Sequence, residues 1–508
     1  MSLGLVVAAA AFLYLFYELY RRTFLDRWDD DVPISLNIPF INSPRIDKIR
    51  VQHQVVLEKS REVGAHISRG ILPWKPWRST VVVGHPTILR EIFVGKDWEA
   101  FDRPIWSQEP SQTYHAGGLI LIPNGKEWRE ARELLGKTFT TTTVRSYMPI
   151  LTEELKTFVD LAEKENALHP DGFDIQEFYN RYTFDTITRL TFGSDLGVQH
   201  DKETQYLKAW DSLLAVSSLW NLIVSVSGEW AVPKSITNEF FKNYNVIKDL
   251  ITSNLERVRS GKTVDAKVSI LDDMMRGQLP EFMQTNEEAL VKQLMTLLFA
   301  GHDTTSALLS FLTHHISNNL EWQNLVRQEV TKAFPGNEPL ALEKLESLPH
   351  LTAVVKETLR MYPSAPFGAG RQMNRDLRLS YADKDGKQKF VQFRKGDVVM
   401  SAMFVSQMTP EFWNKPVDDW DPSRWLDDPN GGASSPYAYA PFGNGARRCL
   451  GERLALGEAR ITLAELVRRF EVVPAKDPEG KFKFAHYFTG TIKAANGVGV
   501  RLLPLSKA

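Results

Sequence analysis

The sequence predicts a mainly α protein with a small β subdomain, preceded by one N-terminal transmembrane helix. Three observations point there. A helical pattern runs from Glu287 to about Asn318, roughly 48 Å at ~1.5 Å per residue and far longer than an average helix. Strand signals are short and late: alternating apolar residues around an Asp385–Gly386 turn within Lys384–Val399, and short runs near Gly490 and Gly497. Met1–Tyr17 carries no charged side chain and is dominated by Leu, Val, Ala and Phe.

The N-terminal segment is long enough to span a bilayer, which takes about 20 residues. Arg21 and Arg22 flank its end, favouring a cytoplasmic C-terminal side. A cleaved signal peptide is the rival, but the basic n-region and small-residue cleavage site are missing. Residues 1–22 are therefore read as a retained anchor and 23–50, with Pro33, Pro39 and Pro44, as a linker. The main domain is read as 51–508.

Val51–Gly70 reads as a helix and Thr80–Val83 as a short strand before another helix. Phe101–Gly118 is irregular. In Gly125-x-x-Trp128-x-x-x-Arg132, Trp128 and Arg132 share a helix face; alone, the pair suggests an exposed Trp–Arg stack. Asp185, Ile187 and Phe192–Gly193 mark a core helix, and Leu213–Val232 an unusually apolar helix and loop. Thr285-x-x-Glu288 looks like a capping box opening the long helix. In that helix's middle, Ala300-Gly301-His302-Asp303-Thr304-Thr305 puts a glycine and polar residues where they weaken a helix. Such a defect needs a reason, and a widened groove for a diatomic ligand is one. A charged Asp303 there is costly without a partner. His302 is read as a packing or surface histidine. Glu357-x-x-Arg360 is spaced for a local ion pair, a common pattern by itself.

Composition narrows the function. The 508 residues are 43% apolar and 24% charged, enough for a large core. A net charge of −1 gives no reason to expect nucleic acid. A single cysteine excludes an intramolecular disulfide, a Cys-ligated iron–sulfur cluster and a Cys-rich zinc site, and suits a reducing compartment. No N-x-S/T sequon is present.

That cysteine, Cys449, lies in Pro441–Gly451, PFGNGARRCLG. Gly443, Gly445 and Gly451 surround it, Arg447 and Arg448 precede it, and ERLALGEARITLAELVRRF follows at helical period. The helix N-terminus and the arginines are expected to lower the thiol pKa. The glycines let the backbone pass close to something flat. A lone cysteine is usually a small buried hydrophobe. Here Phe442, Gly445, Arg447, Cys449 and Gly451 fit F-x-x-G-x-R-x-C-x-G, and the chain resembles the cytochrome P-450 family.

The resemblance covers about 51–505 and carries further motifs in order: Gly125 to Arg132, the Ala300–Thr305 segment, Glu357-x-x-Arg360 and Pro422-x-Arg424-Trp425. It implies a cytochrome P-450 fold with a long central helix and a Cys-ligand loop holding haem b, with Cys449 as the axial thiolate. Cofactor-binding residues would be Trp128, Arg132, Ala300, Gly301, Arg371, Pro441, Phe442, Gly443, Arg447, Cys449 and Gly451, the propionates falling to Trp128, Arg132, Arg371 and Arg447. Asp303 and Thr304 would deliver protons, the catalytic role. Glu357, Arg360 and Arg424 would form a buried structural triad. Two departures stand out: the prolines before the domain are spread out, and Ser406, Gln407 and Met408 replace a usual His-rich turn. The second is expected to change packing only.

The implied activity is haem-thiolate monooxygenation of a lipophilic small molecule of terpenoid, polyketide, sterol or fatty-acid type, by hydroxylation or epoxidation. A haem-thiolate isomerase or dehydratase is the alternative, less suited to a chain with the acid–alcohol pair. A non-catalytic membrane-anchored binding protein is a further rival, disfavoured by the matched motifs. The motifs leave no room for a flavin domain. Electrons would come from a membrane-bound NADPH flavoprotein reductase, with cytochrome b5 as an optional second donor, docking on Arg129, Lys137, Arg448 and Arg453. The expected location is the endoplasmic reticulum membrane, single-pass, with the catalytic domain cytoplasmic.

Overall fold

Helices form where apolar residues recur at helical spacing, and they gather round one of them. The computed structural model describes residues 31–505 except 33, 37–51, 64–65, 73–74, 104–117, 202–203, 228, 262–268 and 478. Its longer helices are α1 (Gln52–Val63), α2 (Pro86–Val94), α3 (Lys126–Gly136), α4 (Met148–Leu168), α5 (Ile175–Phe192), α6 (Gln205–Ser227), α7 (Lys234–Arg259), α8 (Glu287–Asn318), α9 (Leu320–Ala333), α10 (Pro349–Met361) and α11 (Glu452–Arg469).

The long helix expected from the sequence is α8, with 32 residues. Apolar and small residues line it on all sides from Leu290 to Ile316, so it is a buried rod. It crosses α5 closely because Gly301 has no side chain: a Cβ there would lie 2.5 Å from Ile187 Cγ1. The glycine thus serves helix packing, and α8 runs through it unbroken. The expected capping box does not form. Thr285 Oγ1 donates back to Glu281 O at 2.9 Å. The Glu288 carboxylate instead accepts from Tyr244 Oη at 2.5 Å and Lys248 Nζ at 2.7 Å, both on α7.

Strands are short. β1 (Ile34–Leu36), β2 (Ile67–Leu72), β3 (Lys75–Val83), β4 (Phe101–Asp102), β6 (Arg371–Met373) and β9 (Val398–Ser401) make a six-stranded sheet in the order β1-β2-β3-β9-β6-β4. β5 (Phe173–Asp174), β10 (Phe470–Pro474) and β13 (Gly499–Pro504) make a second sheet. β7 (Leu377–Ala382) and β8 (Gln388–Phe393) pair across the expected turn, where Gly386 takes φ 75°. β11 (His486–Phe488) and β12 (Ile492–Ala494) form a hairpin around Gly490.

Two expectations shift. The helix read over Val51–Gly70 ends at Val63, and Ile67–Leu72 is strand β2. Residues 34–36, read as linker, pair in parallel with β2, and Val32 is buried against that sheet. Among the described residues no helix is long and apolar enough to cross a membrane; the expected anchor, 1–22, lies outside them. The core divides accordingly. One large apolar cluster fills the helical side, from Leu151 and Phe158 through Leu294 and Phe311 to Leu463. A smaller one, including Val81, Ile88, Phe101 and Val399, sits on the six-stranded sheet.

Candidate active site

The cysteine loop is shaped by its own backbone. Cys449 N donates to Phe442 O at 3.0 Å and Gly443 N to Ala440 O at 2.9 Å, folding the segment back on itself. Gly445, at φ 67°, passes so near α2 that a Cβ would stand 2.0 Å from Phe93 O. A single 3-10 turn, Gly445–Arg447, then delivers the chain to α11. Cys449 presents its surface to a cavity of about 1000 Å³, lined also by Ala300, Gly301 and Thr304 of α8 and by Pro441, Phe442, Gly443 and Gly451 of the loop.

Without a metal, the thiol is not activated. Burial pushes it up to about 11, against the Gly451 and Glu452 amides and Arg132. The expected lowering by helix and arginines fails because desolvation outweighs them and because Arg448 is spent on Glu452, at 2.5 and 2.6 Å. An ion bound to the sulfur supplies the missing charge, since a coordinating thiol is deprotonated outright.

Five arginines line the same cavity: Arg103, Arg132, Arg371, Arg447 and the Glu452-paired Arg448. Arg447 stacks 4.0 Å over the Trp128 ring, with Arg132 at 5.9 Å. Burial, then repulsion from Arg103 and Arg371, pushes Arg447 down to about 8. Burial and then Arg103 push Arg371 down to about 9. Arg103 Nε and Trp128 Nε1 are buried without a hydrogen-bond partner. A crowd of cations with spare donors, beside a lone thiol and against apolar walls, fits a flat iron-bearing cofactor with acidic side chains, and haem is such a group.

On α8, the Thr304 hydroxyl donates to Ala300 O at 2.7 Å, and the residue lines the cavity. Asp303 is outside the cavity lining and fully buried. Its Oδ1 lies 2.5 Å from Lys493 Nζ, and its Oδ2 accepts from the Thr491 hydroxyl. Burial opposes its charge, but Lys493 and then His302 hold its carboxyl below the ordinary range. His302 is a buried packing residue against Phe184 and Trp210, pushed down to about 4 by burial.

Farther from the cavity, Glu357, Arg360 and Arg424 meet with no exposed side-chain surface. Glu357 accepts from Arg360 at 2.9 and 3.0 Å, Arg424 Nε at 3.1 Å, Trp425 Nε1 at 3.0 Å and Asp421 N at 3.0 Å. Gln407 joins this cluster to the cysteine loop. Its amide donates to Leu359 O and Arg360 O and accepts from Ala440 N, the residue before Pro441. On α11, Glu458 lines the cavity, and burial and then Glu154 raise it to about 8. Among the expected docking residues, Arg129, Lys137 and Arg453 are exposed, while Arg448 is paired with Glu452.

Sequence reading missed Arg103, Gln407, Thr491 and Lys493. Arg103 lay in the irregular segment Phe101–Gly118. Gln407 lay in the departure from the His-rich turn. Thr491 lay in the short run near Gly490 and Lys493 carries no local signal; only the hairpin's return to α8 gives either of them a role.

The Cytochrome P-450 family model matches residues 42–493. Cytochrome P-450 3A29 of Sus scrofa is 26% identical over 398 residues, covering 76% of this chain and 75% of that protein. Cytochrome P-450 3A28 of Bos taurus is 25% identical over 437 residues, covering 84% and 82%. The crystal structure of the cytochrome P-450DA heme domain superposes with a TM-score of 0.78 at 20% identity, over 94% of this chain and 98% of that one, which is a likeness of fold.

Proposed function

The chain belongs to the cytochrome P-450 family and is one of its monooxygenases; from that premise we propose how this chain works and on what. It inserts one oxygen atom from O2 into a lipophilic molecule of terpenoid, polyketide, sterol or fatty-acid type, by hydroxylation or epoxidation. The observation that carries this is one apolar cavity shared by Cys449, five arginines and Thr304. When bound, haem supplies the oxygen chemistry, with a thiolate ligand favouring O–O cleavage.

The protein's part is to bind, orient and move protons. Cys449 is the iron ligand. Trp128, Arg103, Arg132, Arg371 and Arg447 hold the propionates by charge-assisted hydrogen bonds. Ala300 and Gly301 on one side and Pro441, Phe442, Gly443 and Gly451 on the other shape the slot. Leu214, Leu297, Phe299 and Phe488 exclude water from the substrate end. Thr304 would offer a hydroxyl inside the cavity, and Asp303, ionised at rest behind the cavity wall, would relay protons toward it. Glu357, Arg360 and Arg424 keep the cysteine loop in place from outside the pocket.

The electron donor is a membrane-bound NADPH flavoprotein reductase, with cytochrome b5 as an optional second donor, meeting Arg129, Lys137 and Arg453. Residues 1–22 anchor the chain in the endoplasmic reticulum membrane with the catalytic domain cytoplasmic.

The test is the reduced CO-difference spectrum. The wild type gives a thiolate-type band and Cys449→Ala loses it; a variant that keeps the band overturns the reading. Substrate conversion without any reductant would move the isomerase alternative ahead. A binding-spectrum screen over sterols, fatty acids, terpenoids and polyketides identifies the substrate class.

A further inference from the structure

The sequence motif couples Asp303 with Thr304, but their side chains leave the helix in different directions, as successive helical residues must. Thr304 faces the cavity with its hydroxyl donated to Ala300 O. Asp303 is 1% exposed and faces away from it. What touches Asp303 comes from the β11–β12 hairpin. Thr491, at the hairpin's end, donates its hydroxyl to Asp303 Oδ2 and also lines the cavity. Lys493, two residues on, sets Nζ 2.5 Å from Oδ1, with its side chain 14% exposed. Ser364 fixes the hairpin against α8: it accepts from Ile492 N at 3.0 Å and donates to Thr304 O at 2.8 Å.

A line of contacts therefore runs from the partly exposed Lys493, ion-paired with Asp303 Oδ1, through Asp303 to Thr491 on the cavity wall. We propose that Thr491 is the hydroxyl through which Asp303 passes a proton into the cavity, and that Lys493 is the positioning residue that holds and recharges Asp303. This rests on the monooxygenase reading above.

The step balances without electrons. Lys493 gives a proton to the Asp303 carboxylate. The proton lands on Oδ1, so the carboxyl group must turn to aim it at Thr491 Oγ1, while the Thr491 hydroxyl, which at rest donates to Oδ2, swings its own proton to an acceptor oxygen in the cavity. The Oδ1–H bond then breaks as Thr491 is reprotonated. Lys493 takes a proton back from solvent, so one proton moves from solvent to cavity. Other titratable groups acting on this chain of donors are neutral His302 on α8, Asp211 on α6 and Tyr487 on β11.

The experiment uses the full-length haem protein with reductase and NADPH, with and without lauric acid as surrogate substrate. Thr491→Val removes the hydroxyl at nearly constant shape. It is expected to keep haem content, the CO band and deuterium exchange over residues 486–494. Hydroxylated laurate per NADPH falls by roughly tenfold or more, toward the ~10²–10⁴ typical of a positioned proton donor, and peroxide per NADPH rises even without laurate. Thr491→Ser restores both ratios. Lys493→Met lowers product per NADPH and shifts its pH profile, while Lys493→Arg retains both. Unchanged peroxide and product ratios in Thr491→Val, or equal losses in Thr491→Val and Thr491→Ser, overturn the proposal. So does faster exchange over 486–494 or loss of the CO band in Thr491→Val, which would make the contact structural. Failure of the monooxygenase reading shows separately, as a CO band that survives Cys449→Ala.

Discussion

Two groups of buried arginines sit a short stretch of chain apart and behave oppositely. Arg360 and Arg424 close on Glu357, with Trp425 and the Asp421 amide filling its remaining acceptor sites. Arg103, Arg371 and Arg447 crowd one cavity, repel one another, and reach mainly carbonyl oxygens, with Asp102 the acid acting on them. A buried charge is tolerable when paired and costly when not. The closed set is therefore anchored by a shared carboxylate in the protein alone, with Arg424 Nη1 left without a hydrogen-bond partner. The open set is complete only with an anionic guest. Charge satisfaction, more than burial, separates a structural cluster from a binding one.

Breaking the closed set gives the largest effect. Glu357→Ala leaves two uncompensated guanidinium groups, costing ~3–5 kcal/mol. It is expected to abolish haem incorporation, read as loss of the Soret band in purified protein. A variant that folds, holds haem and changes only substrate choice would put Glu357 in the open set. Arg371→Gln tests the other side. It relieves repulsion and removes one contact to Phe101 O, so the melting temperature should change little. Haem should transfer to excess apomyoglobin about tenfold faster or more, as a charge-assisted bond of ~1.5–3 kcal/mol is lost.

A third effect is a slope in pH. Glu458 is an acid with a folded pKa raised to about 8, so the folded state binds the extra proton between its ordinary value and that one. Stability is full below the ordinary carboxyl range and is lost as pH rises toward 8, by up to about 1.4 kcal/mol per pH unit. Glu458→Gln should flatten urea midpoints between pH 5 and 8; an unchanged slope would give Glu458 an unseen partner.

The length of α8, the turn at Gly386 and the grouping of Glu357, Arg360 and Arg424 were legible because each rests on short spacing or a dense motif. The β2 strand was misread because Ile67–Leu72 pairs with Lys75–Val83, a tertiary preference that overrides local pattern. Asp303 was legible as costly, while its partner was not. Lys493 is distant in sequence and sits on a three-residue strand. The thiol shift was misjudged because position relative to a helix end is written in sequence, whereas desolvation depends on everything packed around the sulfur.

The contact between Gly301 and Ile187 has a consequence for alignment. A straight helix of 32 residues has no internal reason to prefer one azimuth about its own axis. One missing methyl group gives it one: Ile187 of α5 fits only where position 301 carries no Cβ, like a pin in a keyway. Rotating α8 would drive the neighbouring side chains into that isoleucine. The bearing of Thr304 toward the cavity and of Asp303 toward the hairpin is thereby indexed from α5. Ile187, itself part of the cavity wall, thus fixes the bearing of both Thr304 and Asp303.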